Sequence, residues 1–144
     1  MNKLPVHILL ERTVKIRSLL VRGITRGELA RDTKGNRVDH RSRQAKCWCV
    51  LGAILAVCKM EEALPLVTEF VIHLMSRELP LFQSRLVRLT NWEEEKELIA
   101  DWNNGATSTE ILSTWDIFIV ILILQTARES DGRAHVERIL SSVA

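Results

Sequence analysis

The sequence predicts an all-α fold, a compact bundle of about six or seven helices around one buried central helix. Its 144 residues suit a single domain with one hydrophobic core, spanning residues 1–144. Apolar residues recur at helical spacing along most of the chain, and two segments in its second half carry the Thr-x-x-Glu pattern that begins helices. Apolar residues make up 47% and charged residues 26%, which is typical of a globular protein and not of a disordered one.

The first helix is predicted over residues 5–22, and Gly23 supplies its end. Its apolar residues fall on one stripe at helical spacing: Val6, Leu9, Leu10, Ile16, Leu19 and Leu20. Glycines then break the helical pattern between residues 23 and 35. Two structures for residues 29–38 stay open, a small β-hairpin about the Gly35-Asn36 turn or a loop without strand pairing.

The second helix is predicted to be the buried centre of the fold. Asp39 is a suitable N-cap, and the helix is expected to run to about Lys59. From Cys47 to Cys58 it is apolar on every side. Gly52 in its middle costs about 1 kcal/mol relative to Ala, so we expect another backbone segment to cross closely at that point.

The third helix is predicted from an apolar stripe between Leu64 and Leu74, with Pro65 in its first turn. Pro80 ends it, and residues 81–89 are predicted to form a short further helix.

Capping boxes predict where the next two helices begin. The first box is Thr-Asn-Trp-Glu at residues 90–93, and its helix ends at residues 104–105. The second is Thr-Ser-Thr-Glu at residues 107–110, with a restart predicted at residues 113–116. A last helix is predicted over residues 132–142.

Residues 117–124 are eight consecutive apolar residues, which periodicity alone allows as a buried strand or a buried helix. The β-branched residues favour a strand, whereas the capping signatures before the run and the sequence after it favour a helix. No partner strand of similar quality occurs elsewhere, so we predict a buried helix. Eight residues are too few to cross a bilayer as a helix, and no membrane segment is predicted.

The net charge of +2 conceals two halves of opposite sign. Residues 1–60 hold thirteen Lys/Arg against four Asp/Glu, and residues 61–144 hold seven against fourteen. Either the halves face each other, with the glutamates at 93–95 and 97 near the arginines, or the basic region 12–46 binds an external polyanion such as nucleic acid. The candidate binding residues are Arg12, Lys15, Arg22, Arg26, Lys34, Arg37, Arg41 and Arg43. We expect these side chains to serve recognition more than folding.

The sequence contains no motif of a nucleophilic enzyme, a zinc protease or a phosphate-binding loop, so no catalytic residue is assigned and a non-enzymatic role is favoured. On the predicted central helix, Cys47 and Cys49 lie about 200° apart, and Cys47 and Cys58 about 16 Å apart along the axis. They can share neither a metal ion nor a disulfide. We therefore expect free, buried thiols, no metal and no cofactor, and a cytoplasmic location.

Two segments of the chain resemble a family of small uncharacterised proteins from bacteria and their phages. Residues 27–35 read Gly-Glu-Leu-Ala-Arg-Asp-x-x-Gly, and residues 45–53 read Ala-x-x-Trp-Cys-x-x-Gly-Ala. The Trp-Asn-Asn turn at residues 102–104, Thr107 and Asp116 take the places of further family motifs. The resemblance covers about residues 23–58 and 99–125, and Asn104 stands where the family has Asp.

The resemblance brings no established activity, substrate or cofactor. It implies that six residues meet in space: Arg31, Asp32, Trp48, Cys49, Asn103 and Asp116. Trp102, which ends a helix beside a polar turn, is a further candidate for that pocket. The same residues also have a structural interpretation, in which Asp32 and Asn103 cap helices, Arg31 pairs with Asp116, and Trp48 packs in the core.

The favoured function is a small binding or regulatory protein that acts through a protein–protein surface, such as a phage-encoded inhibitor of a host system. The first alternative is nucleic-acid binding by the basic region 12–46. The second is a small-molecule pocket, or a weak enzyme, near Arg31, Asp32, Asn103 and Asp116. The sequence leaves the identity of the partner and the oligomeric state open.

Overall fold

The computed structural model describes residues 4–78 and 91–143, which form six α-helices and one two-stranded antiparallel sheet. The elements in chain order are α1 (Val6–Arg22), β1 (Ala30–Arg31), β2 (Cys47–Trp48), α2 (Val50–Val57), α3 (Met60–Glu78), α4 (Trp92–Gly105), α5 (Ser108–Ala127) and α6 (Gly132–Ser141). The predicted all-α class, with one very small β element, is confirmed.

The helices pack around a single core that includes an aromatic cluster. α1 lies along α5, α3 packs on α4, α6 contacts both α1 and α5, and α2 contacts α1, α3 and α4. Phe70 of α3 lies against Trp115 and Phe118 of α5, with ring centroids 4.7 and 5.3 Å away. The buried Trp115 indole donates a hydrogen bond to the Thr13 carbonyl oxygen of α1 at 2.9 Å, so its one polar atom is satisfied inside the core.

The central helix is much shorter than predicted. Helix α2 covers only Val50–Val57, with Cys49 as its N-cap, so the prediction of a helix from about residue 40 was wrong. The Asp39 carboxylate accepts the Arg41 N–H and closes a turn. Cys47 and Trp48 pair with Arg31 and Ala30, and this pairing takes backbone groups that a helix would need. The central position of α2 is confirmed, because residues 50–54 are buried.

Residues 29–38 combine features of both predicted alternatives. Arg31 and Arg37 form one antiparallel bridge across a tight turn, in which Gly35 adopts a positive φ of 83°. The longer pairing of β1 is with β2, sixteen residues further along the chain. The turn is therefore hairpin-like, while the strand itself is completed by a distant segment.

The expected close crossing at Gly52 is confirmed. A Cβ atom at this position would overlap the carbonyl oxygen and carbon of Leu29. That carbonyl also accepts the Cys49 N–H at 3.1 Å, so it is held directly over the first turn of α2. Glycine is required here for a close approach between backbones, not for an unusual dihedral angle.

The later helices follow the predictions with three corrections. Pro65 lies inside α3 and not in its first turn, because α3 begins at Met60. Asn91 is the N-cap of α4 and accepts the Glu94 N–H, in place of the predicted box at residues 90–93. Helix α5 is continuous, with no restart at residues 113–116.

Other predictions for this part of the chain agree with the structure. The capping box of Thr107 and Glu110 at the start of α5 is present with both of its hydrogen bonds. Residues 117–124 are helical, and α4 ends at Gly105 as predicted. The helix predicted over 81–89, together with Pro80 and Thr90, lies outside the described residues.

Candidate functional site

Three of the segments that carry the resemblance meet at one cleft. The cleft has a volume of about 220 Å³, and its lining comes from the 27–29 segment, the start of α2 and the end of α4: Gly27, Glu28, Leu29, Cys49, Leu51, Ala100, Asn103 and Asn104. Of the six residues expected to meet, only Cys49 and Asn103 line it.

Asn103 connects these three segments and is 1% exposed. Its Oδ1 accepts the Val50 N–H at 2.9 Å, and its Nδ2 donates to the Thr25 carbonyl oxygen at 3.1 Å. The neighbouring Asn104 Oδ1 accepts the Gly27 N–H at 3.2 Å. The two amides thus satisfy backbone groups at the start of α2 and in the 25–27 loop, which fits the structural interpretation of Asn103 as a helix cap.

The cleft lacks an activated nucleophile. The Cys49 Sγ accepts the Gly52 N–H at 3.2 Å, and burial raises the pKa of the thiol above its ordinary value. Burial also raises the pKa of Cys58, to about 12. Because the thiolate is the reactive form, both thiols are unreactive near neutral pH. All three cysteines are free thiols, with Cys47 half-buried on β2 and not helical.

The expected pair of Arg31 and Asp116 does not form. The Arg31 guanidinium donates to Thr25 Oγ1 and to the carbonyl oxygens of Arg26 and Gly35. Asp116 instead pairs with Arg17 of α1, through two hydrogen bonds. Asp116 therefore takes part in the α1–α5 contact and not in the cleft.

The other candidate pocket residues also have structural contacts. Asp32 does not cap a helix; its Oδ1 accepts the N–H groups of Lys34 and Asn36 inside the hairpin turn. Trp48 is buried, and its indole N–H donates to the His40 carbonyl oxygen. Trp102 is half-buried and lies edge-on to Phe70, with ring centroids 5.5 Å apart.

Most of the candidate basic residues are engaged within the fold. Among the described residues, six of the eight side chains make a charge, hydrogen-bond or cation–π contact: Arg12, Lys15, Arg22, Arg26, Arg37 and Arg41. The most extensive contact is between Arg12 and Glu62, with N–O distances of 3.1 and 3.0 Å. Lys34 and Arg43 have no such side-chain contact in the described part of the chain.

Among the described residues, the arginines of the basic region do not pair with the predicted glutamates at 93–95 and 97. In the described structure, arginines pair with Glu62, Asp116, Glu11 and Glu28. Of the predicted cluster, Glu93 pairs with Lys96, and the buried Glu95 accepts a hydrogen bond from Thr68.

An apolar surface on α5 was not predicted from the sequence. Four side chains of the 117–124 run are exposed, so the expectation that the whole run is buried was wrong: Ile117 41%, Val120 52%, Ile121 36% and Leu124 56%. Their spacing of i, i+3, i+4 and i+7 places them on one side of the helix. A run without a polar residue gives no sign of which side faces solvent, so periodicity could not have found this face.

The same surface continues toward the start of α5. An open groove of about 520 Å³ runs along the helix and is lined by Thr109, Leu112, Ser113, Asp116, Ile117 and Val120. Among the described helices, α5 is long and apolar enough to cross a membrane by length and composition, with 39% of its most apolar window buried. Core helices of soluble proteins have the same composition, and Phe118 and Leu122 of α5 are almost fully buried in this fold.

A family model described as Family of unknown function (DUF6197) matches residues 1–116. The match extends over all of the residues that carry the resemblance up to Asp116. No curated protein and no solved structure matches the chain.

Proposed function

The chain belongs to DUF6197, a family of unknown function, and we propose that it is a small protein-binding module that uses the exposed apolar face of α5. We call the four residues Ile117, Val120, Ile121 and Leu124 the α5 face. All four lie after residue 116, so the proposal concerns this chain and not the family as a whole.

The single observation that supports this function is the arrangement of the α5 face. Each of its side chains exposes apolar surface to water. Burying that surface against a partner would contribute about 25 cal/mol of favourable free energy for every Å² covered. Isolated exposed apolar residues are common, but four on consecutive turns of one helix form a continuous patch, which is typical of an interaction site. The amphipathic spacing also suits helix-to-helix or helix-in-groove contact.

The two alternative functions have weaker support. A nucleic-acid site needs cations free to meet phosphates, and most of the candidate basic side chains already bind groups within the fold. A small-molecule site at the 220 Å³ cleft would rely on Asn103, whose amide oxygen and nitrogen already bond to backbone groups.

The narrower role of a phage-encoded inhibitor is consistent with this surface. Bacterial or phage origin and a cytoplasmic location belong to this proposal, and identification of the bound protein would test them.

Photo-crosslinking in the cells that produce the protein tests the proposed function. We expect a photoreactive amino acid in place of Val120 to capture a protein, giving an adduct of defined mass. Replacing Ile117, Ile121 and Leu124 together by Ser should remove the adduct while leaving the circular dichroism spectrum unchanged, because these side chains are exposed.

The same photoreactive group in place of Arg43 is the matched control. Arg43 is exposed and lies in the basic region, so capture of nucleic acid there would support the first alternative. If position 120 captures no protein, or captures only lipid, the protein-binding function is wrong.

A further inference from the structure

We infer that the occupant of the α5 face is a second copy of this chain, bound antiparallel across a two-fold axis. The inference rests on the proposed function and names the partner for the same face. It depends on the charges at the two ends of the face and on their spacing along α5.

Glu110 and Arg128 are of opposite charge and lie at opposite ends of the face. They are eighteen positions apart, which is five helical turns and about 27 Å at 3.6 residues per turn. Both therefore lie on the same side of the helix, close to the line through Ile117, Ile121 and Leu124. Arg128 is the C-cap residue and keeps helical dihedral angles, so the spacing holds to the end of the face.

The two end charges and two of the four apolar residues are symmetric about the level of residue 119, whereas the positions level with Val120 and Leu124 are the buried Phe118 and Thr114. Glu110 and Arg128 are equally distant from this point, and so are Ile117 and Ile121. When a second copy is related by a two-fold axis that passes between the two α5 helices at the level of residue 119, each Glu110 lies level with the Arg128 of the other copy. Each Ile117 then lies level with the other copy's Ile121, so two ion pairs flank an apolar centre.

Both charged side chains are available for this contact. Arg128 and Glu110 are exposed. The Arg128 guanidinium has no hydrogen bond or ion pair within the described part of the chain. Glu110 uses Oε1 in its capping box, accepting the Thr107 N–H at 3.4 Å, and a carboxylate has a second oxygen for a partner.

Other occupants fit this pattern less well. A parallel second copy would place Glu110 against Glu110 and Arg128 against Arg128, which is repulsive. A bilayer covers apolar side chains without requiring a negative charge at one end and a positive charge at the other. Only the antiparallel pair uses both charges and their symmetric spacing.

Sedimentation equilibrium of the purified chain tests the inference by charge exchange. We expect a monomer–dimer equilibrium between ~10 µM and ~1 mM, the range for a small interface. Arg128→Glu and Glu110→Lys should each weaken the dimer about tenfold, because two attractive pairs become repulsive. The double variant Glu110→Lys/Arg128→Glu should restore the dimer, since the exchanged charges attract again.

Matched controls distinguish the effect of charge changes at Glu110 and Arg128 from the effect of the same charge changes elsewhere on the surface. Glu129→Lys and Arg133→Glu make the same charge changes at exposed positions that are not part of the face, and we expect neither to alter the dimer constant. Circular dichroism of every variant shows whether it is folded, because Glu110→Lys also removes half of a capping box. Ile121→Asp keeps that box intact and should also abolish the dimer.

Each other result contradicts the inference in a recognisable way. A monomer at all concentrations overturns the second copy, although capture of another protein at position 120 would keep the proposed function. A dimer that is insensitive to charge exchange uses another face. Flotation with vesicles of phosphatidylcholine and phosphatidylglycerol, lost in Ile121→Asp, would identify a lipid surface and overturn both proposals.

Discussion

Residue 52 has room for a hydrogen atom and for nothing larger. The atoms that a methyl group would meet belong to the Leu29 backbone, which cannot move aside as a side chain could. The contact joins the 23–31 loop to the first turn of α2, so any displacement would also disturb the hydrogen bond from Cys49 to Leu29.

We therefore predict that Gly52→Ala destabilises the fold by at least about 3 kcal/mol, or prevents folding, since overpacking typically costs 1–3 kcal/mol even where side chains can adjust. Urea denaturation measures the change. Gly105→Ala is the control, because a Cβ there meets no atom within 4 Å. It should stabilise α4 slightly, by up to about 1 kcal/mol. Equal stabilities for the two variants would contradict the crossing at Leu29.

Glu95 is a carboxyl group that the fold holds at an energetic cost. It is 6% exposed, its Oε1 accepts the Thr68 hydroxyl at 3.2 Å, and its Oε2 has no hydrogen-bond partner among the described residues. Burial raises the pKa of this carboxyl above its ordinary value. The folded state therefore binds a proton more readily than the unfolded state, and stability falls as the pH rises through the folded pKa.

Glu95→Gln should increase the free energy of unfolding at pH 7 and change it much less at pH 4, where the native carboxyl is mainly protonated. The amide oxygen of Gln can keep the hydrogen bond from Thr68. Urea denaturation at the two pH values measures the difference. Glu97→Gln, at an exposed position of the same helix, is the control. A larger gain at pH 4 than at pH 7 would reverse the predicted sign.

At the scale of the element, α2 is a helix whose two ends are held by distant residues. Asn103 binds the first N–H of the helix. Arg41 donates to the Leu55 and Cys58 carbonyl oxygens at 3.2 and 2.9 Å, at the other end. The last carbonyl groups of a helix have no N–H partner within it, so the Arg41 guanidinium supplies two of the missing hydrogen bonds at the end of α2.

Arg41→Gln should lower the free energy of unfolding by about 1 kcal/mol, the usual net value of a hydrogen bond that is partly exposed to water. Arg43→Gln removes an arginine two positions away that has no side-chain contact among the described residues, and it should have little effect. Thermal denaturation of both variants measures the difference. If the two arginines proved equally dispensable, Arg41 would belong with the recognition residues, as the sequence analysis expected.

Prediction from sequence succeeded where the residues that determine a helix boundary lie next to that boundary in the chain. The Thr107–Glu110 box and the Gly105 end are local, and both were found. The length of α2 was not found, because the apolar run from Cys47 to Cys58 fits a helix equally well over its first residues. Pairing of Cys47 and Trp48 with a strand sixteen positions away decides that boundary, and local sequence does not encode distant pairing.

At the scale of the whole molecule, the opposite charges of the two halves are paired with each other only in part among the described residues. Arg12 with Glu62 and Arg17 with Asp116 join an arginine of the basic half to a carboxylate of the acidic half. Arg138 with Glu11 also joins the halves, but with the arginine in the acidic half and the glutamate in the basic one. The total charge of each half was available from composition, and so was the possibility of mutual pairing. Which carboxylate meets which arginine depends on helix packing and was predicted wrongly.

The candidate site, like the ion pairs, could be predicted only in part, because packing determines the rest. The resemblance identified segments that do meet, around Cys49 and Asn103, but the residues in them hold backbone groups together. The α5 face could not be seen in a run of eight apolar residues, since the positions of the helices packed on α5, which are α1, α3 and α6, determine which side of the run is covered. Solvent exposure of Ile117 and Leu124 is thus a property of the packed bundle.

The short length of α2 has a consequence for the order in which the protein folds. Isolated helices shorter than about 12 residues are marginal in water, and α2 has 8. Its first N–H donates to the side-chain amide of Asn103, 53 positions away, and the Cys49 N–H at its start donates to the Leu29 carbonyl oxygen. Both bonds form only when these distant segments have come together. The most buried helix therefore cannot act as a nucleus. We expect the long helices α1 and α5 to associate first and the centre of the molecule to become ordered last.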